Sequence, residues 1–294
     1  MKALVCSISL ALVASSLPAQ AQTLWSTQHV RPSDCGRFSK TAGTAEFSTT
    51  LQGFKWPLQK GSGALFVWDT AAHLNAAAIG RAKEARLRER LLAAARSGAF
   101  TKLDFEGPGG SSPAFVSTTI IKSVAHSVDY LRGRNALSSQ DVKEIGSWVG
   151  KLSKNSKVRA TSKDHRAAIL VSQLMWTAAT DDQKGFSRNL RQFDTYLRAL
   201  RKAPYFTSDL RNNNEVMQHI VHGAAILHMN GVDRFSPKFG QYSLNDAVTY
   251  HANQVRANGT AKIGTAGDPH DQARSIMRAD GHGTHLAWIP VFLA

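Results

Sequence analysis

Cysteine is almost absent. The 294-residue chain contains two, and Cys6 lies in a leader-like opening stretch. Cys35 is then left without an intramolecular partner. That excludes a disulfide framework and every paired-cysteine zinc motif, so the core must hold the fold. Acidic residues are scarce as well: 21 Asp and Glu stand against 36 Lys and Arg, for a formal charge of +15. A surplus of that size draws polyanions and raises their local concentration. Also missing, beyond the first stretch, is any run of the ~18 apolar residues that a membrane helix needs. Alternating strand-like runs are missing too. The hydrophobic share, 43%, is that of an ordinary globular protein.

The opening stretch, MKALVCSISLALVASSLPAQAQ, has the order of a secretory signal. Lys2 is the positive start, Ala3 to Leu17 the apolar segment, and Ala19-Gln20-Ala21 the small-x-small cleavage pattern. The expectation is a signal peptide over 1–21 and a periplasmic or secreted product. Outside the cytoplasm the common polyanions are uronic-acid polysaccharides and other surface glycans, so nucleic acid is not the expected partner.

Residues 22–75 read as irregular, with Gly, Ser, Thr and Pro between isolated apolar groups such as Phe47, Phe54 and Trp56. From Ala76 to Ala99 the composition turns to Ala, Leu, Arg and Glu, and the pattern becomes helical. The break EGPGGSSP, Glu106 to Pro113, lacks the lysine and spacing of a phosphate loop and reads as a linker. Helices follow over Ala114–Leu131, from Ser138 or Ser139 to about Leu152, from Asp164 through Trp176, and from Asp181 or Asp182 through Leu200. Two more cover Asn212–Met229 and Ser243–Arg256, and Pro269–Met277 begins a last segment. Short loops between amphipathic helices imply antiparallel hairpins. The expected class is all-α, with residues 76–294 as the helical domain.

Three stretches carry groups capable of chemistry. ADGHGTHLAWIP, Ala279 to Pro290, has the look of a serine-protease histidine motif. Such a site needs a serine beyond the histidine, carried on a sheet. No residue after His285 is serine, and no sheet is expected, so the match is false. In RNNNEVMQHIVHG, three asparagines, Asn212 to Asn214, stand where a helix begins. One suffices as a cap, which leaves two to explain. Glu215, His219 and His222 then share a helix face at i, i+4 and i+7, a set that lacks the spacing of a zinc signature. In SLNDAVTYHANQVR, Asn245, Tyr250 and His251 lie near polar faces of one helix.

On these residues the chain resembles the alginate lyase family of polysaccharide lyases. That family carries an Asn-Asn-His stretch and a later Arg followed by Tyr-His. The matching positions are the asparagines of RNNNE and Tyr250-His251 of AVTYHAN, and the closing HLAWIPVF is similar to the family's C-terminal end. Two positions depart from the pattern. The family histidine falls at Asn214 or Glu215, and its arginine falls near Ser243. The resemblance implies an (α/α) toroid or incomplete barrel of antiparallel helical hairpins, with a cleft for an acidic polysaccharide cleaved by β-elimination. It implies that Asn213, Tyr250 and His219 are catalytic. Asn212, Asn214, Arg211, His251 and Arg256 are then the substrate-binding residues, with Lys122 a further cation for the cleft. No metal or cofactor is implied, and a monomer is expected. The alternative is a non-catalytic acidic-glycan-binding protein of the same fold.

Overall fold

The computed structural model describes residues 47–53, 61–79, 84–107 and 112–259. Among them are eight α-helices: α1 (Gly63–Ile79), α2 (Glu84–Ser97), α3 (Pro113–Gly133), α4 (Ser139–Asn155), α5 (Lys163–Ala179), α6 (Gln183–Leu197), α7 (Leu210–Met229) and α8 (Leu244–Gly259). The strand content there is one two-residue parallel pair, β1 (Thr50–Leu51) with β2 (Lys102–Leu103). The protein is all-α.

Alternate helices make one layer: α1 packs on α3, α3 on α5 and α5 on α7. Each also packs on its successor, which supplies the second layer of α2, α4, α6 and α8. Hairpins in two layers are what short loops between amphipathic helices produce. The core has two parts. Phe66, Phe100, Ile120, Leu131 and Trp148 fill the space among α1 to α4. Val171, Phe193, Met217, Ile220 and Leu244 fill that among α5 to α8. Trp176 packs against both parts and joins them. Each large apolar side chain removed from water contributes roughly 1.5–3 kcal/mol.

Several helix starts agree with the sequence. Ser138 and Asp141 form a reciprocal capping box on α4, and the Asp182 side chain accepts from the Gly185 N–H at the start of α6. Ser243 and Asp246 exchange hydrogen bonds before α8.

Three starts differ. Ser162, not Asp164, caps α5, its hydroxyl accepting from the His165 N–H. Asp209 caps α7, its carboxylate accepting from the Asn212 N–H at 2.7 Å. The three asparagines are therefore already inside the helix and none of them is its cap. The third difference is α1, which begins at Gly63, within the stretch read as irregular. The buried stripe of α1 runs through Phe66, Thr70 and Ala77, with Asp69 beside it. Because polar residues hold part of that stripe, hydrophobic periodicity does not reveal it. Gly63 lets the helix start close: a Cβ there would lie 2.4 Å from Leu51 Cδ1.

No helix among the described residues is long and apolar enough to cross a membrane. The expected leader over 1–21, the segment from Pro269, His282, His285 and the LAWIP stretch all lie outside the described residues.

Candidate functional site

Helix α7 carries polar groups on two sides of an otherwise apolar cylinder. Val216, Met217, Ile220, Val221, Ala224 and Leu227 are buried in the core. At 3.6 residues per turn, Asn213 lies about 120° around the axis from His219. The two residues therefore serve different neighbourhoods.

The first neighbourhood joins α7 to α8. Asn213, Asn214 and His251 are almost wholly buried. The Asn213 side-chain oxygen accepts from the backbone N–H groups of Phe206 at 2.9 Å and Thr207 at 3.4 Å. Its amide nitrogen then faces His251 Nδ1 at 3.1 Å. An amide NH2 only donates, so Nδ1 is the acceptor. The proton therefore sits on Nε2, which donates to Asn214 Oδ1 at 3.1 Å. A neutral ring satisfies this geometry, and burial agrees, lowering the His251 pKa to about 4. Tyr250, the preceding residue, is exposed and stands beside Tyr205, with ring centroids 5.7 Å apart.

The second neighbourhood lies where α3, α5 and α7 meet. Lys122 Nζ is 2.9 Å from His219 Nδ1. One turn further along both helices, the rings of His126 and His222 stack at 5.7 Å, 16° from parallel. Phe115 of α3 covers the end, with its ring 5.5 Å from that of His165 on α5 and 5.9 Å from that of His219. Lys122, His126, His219 and His222 are half-buried, so solvent reaches them. The surrounding protein is nevertheless dense enough for loss of water to dominate their ionisation. Burial lowers Lys122 to about 7 and, with the nearby Lys122 charge, His126 to about 4. His219 and His222 are held well below the ordinary histidine range by burial first and by neighbouring basic groups second. The cluster thus gathers histidines held neutral around one lysine whose charge burial disfavours.

The remaining sequence candidates lie on the surface. Arg211 and Asn212 are exposed in the first turn of α7, and Arg211 pairs with Glu215 at 3.5 Å. Arg256 is exposed near the end of α8. The structure thus brings together Asn213, Asn214 and His251, and separately Lys122 with His219. His126 and His165 were missed in the sequence. Their signal was there: Lys122 and His126 stand four apart on one apolar helix, as His219 and His222 stand three apart on another. Among the described residues no three His, Cys, Asp or Glu side chains form a group that could hold a metal ion.

No protein-family model matches the chain, and no curated protein matches it in sequence. Among solved structures the chain is similar to a tyrosine-to-phenylalanine variant of alginate lyase A1-III complexed with tetrasaccharide. The TM-score is 0.65 at 13% identity, over 92% of this chain and 84% of that one. What the two share at that identity is the fold, an all-α toroid of helical hairpins.

Proposed function

We propose that the protein is an exported polysaccharide lyase that cleaves alginate or a related polyuronate by β-elimination. The observation that carries the reading is the polar cluster where α3, α5 and α7 meet, in which Lys122 lies 2.9 Å from His219. It lies in a fold shared with an alginate lyase. The charge of +15 supports a polyanionic substrate, and the leader over 1–21 supports export.

β-Elimination removes the proton at C5 of a uronate. The electron pair forms the C4–C5 double bond, the C4–O4 bond breaks, and O4 leaves with a proton. A base near C5 and an acid near O4 are needed, together with groups that offset the charge of the carboxylate. In this reading Tyr250 moves the proton. Asn213 and Asn214, tied to His251, fix α8 against α7 and so set the position of Tyr250. Asn212, Arg211 and Arg256 meet carboxylates of neighbouring sugars. Replacing Tyr250 with Phe lowers kcat by about 10²–10⁴-fold and leaves KM nearly unchanged, as expected for a proton-transfer group.

The alternative is a non-catalytic acidic-glycan-binding protein. It is favoured by the commitment of Asn213 and His251 to each other and to the backbone. Incubation with polymannuronate, polyguluronate and glucuronan separates the two, with ultraviolet absorbance reporting the unsaturated product. A rise on at least one polymer is the expected result. Retention on an immobilised polyuronate with no rise on any of them selects the binding protein instead.

A further inference from the structure

Among the described residues Lys122 has no acidic hydrogen-bond or ion-pair partner. Its side chain has one hydrogen-bond partner among the described residues, His219. Loss of water is what governs its ionisation, with no carboxylate acting on it. Among the described residues the ionisable groups that act on His219 are Lys122, His222 and His165, every one of them basic. On α3 itself Asp129 is buried two turns along from Lys122, and the acids named next, on neighbouring helices, are engaged elsewhere. On α1, Asp69 stands 3.6 Å from Arg90, and His73 feels Arg90 and Arg86. On α4, Asp141 and Glu144 pair with Arg88 and Arg96. On α7 itself, Glu215 pairs with Arg211. On α5, Asp164 acts on His165 and Tyr196.

An ammonium surrounded by protein and given no counter-charge is costly, so the group gives up its proton instead. In its neutral form Lys122 accepts from or donates to the imidazole beside it. An anion placed beside it makes the ammonium favourable again.

We propose that Lys122 and His219 form a carboxylate-binding site that takes up one proton when the carboxylate enters. The choice of a uronate carboxylate rests on the lyase reading above. The balance is simple. The Lys122 amine gains a proton from solvent and becomes an ammonium, and the carboxylate enters and stays ionised. His219, with its neutral ring, holds the ammonium from one side, while the carboxylate oxygens take its remaining hydrogens. Substrate binding at this site is therefore tightest where protons are available, and it weakens as pH rises above neutrality.

The test uses D-mannuronate, a monosaccharide with no glycosidic bond to cleave, and D-mannose as its uncharged counterpart. The full mature protein carries ¹³C at lysine Cε, and its lysine signals are followed against pH. One signal is expected to titrate near neutrality and to vanish in Lys122→Arg, which assigns it. Saturating D-mannuronate moves that midpoint up by at least about one pH unit, a tenfold change in proton affinity, and D-mannose leaves it in place. Lys122→Arg, always protonated, binds D-mannuronate with little dependence on pH between about 6 and 9. The wild type loses about tenfold in affinity over that range. Lys122→Met weakens binding about tenfold or more at about pH 6. If Met at this site prevents folding, the arginine variant decides by itself. The proposal is overturned if no lysine titrates below about pH 9, if the assigned midpoint ignores D-mannuronate, or if the arginine variant keeps the wild-type pH dependence. The lyase reading fails separately: a midpoint that moves while no polyuronate yields unsaturated product leaves a carboxylate-binding protein. Product formed with an unmoved midpoint leaves a lyase that neutralises its substrate elsewhere.

Discussion

His251 shows how a single residue can be fixed by what surrounds it. Its ring donates to Asn214 and accepts from Asn213, and a charged imidazolium has no place in that pattern because Nδ1 must accept. The native state therefore holds the ring neutral, with a pKa of about 4 against an ordinary 6.5. Between those two values the unfolded chain binds the extra proton, so stability rises with pH across the window. It is lost as pH falls from about 6.5 towards 4, by on the order of 3 kcal/mol for this residue. Thermal melting of the wild type across that range should show the decline, and His251→Ala should make it shallower by this residue's share, His126, His219 and His222 supplying the rest. The same variant leaves two buried asparagine amides short of a partner and should cost about 2–4 kcal/mol at neutral pH, read by denaturant unfolding.

At the scale of the element, α7 depends on Gly223 for its place in the layer. A Cβ at that position would lie 2.6 Å from Phe193 Cε2 on α6 and 2.9 Å from Val171 Cγ2 on α5. Gly223→Ala gains helix propensity yet should lose about 1–3 kcal/mol net, because an aromatic ring and a valine must both shift. A higher melting temperature in that variant would contradict the packing described. This element also shows what a sequence can and cannot disclose. The span, the helix type and the His219–His222 pair were legible because apolar residues recur at helical spacing. The role of the asparagines was not. Asn212 to Asn214 suited a cap by residue type, but the chain already had Asp209 at the right offset, and nothing local ranks the two. Helix α1 was missed from residue 63 because Asp69 and Thr70 occupy buried positions, and periodicity counts only apolar ones. The recess was hidden for a different reason. Lys122 and His219 are 97 positions apart, and only the packing of alternate helices brings them together.

At the scale of the whole molecule, charge and architecture point the same way. The toroid of hairpins is the shared fold, and a surplus of positive charge raises the local concentration of any polyanion near the protein. The long-range part of that attraction is screened by salt, since the Debye length shrinks from about 10 Å at 0.1 M to about 3 Å at 1 M. Retention on immobilised polymannuronate should therefore fall steeply as sodium chloride is raised from about 0.05 to 0.5 M. Retention that ignores salt would place recognition in short-range contacts alone. Cleavage by β-elimination is the central claim, and the mass of the products from a polymannuronate digest tests it most directly. The account predicts oligosaccharides with one unsaturated terminal uronate, each lighter by one water than the corresponding hydrolysis product. Fully hydrated oligosaccharides, or a polymer left intact, would contradict it.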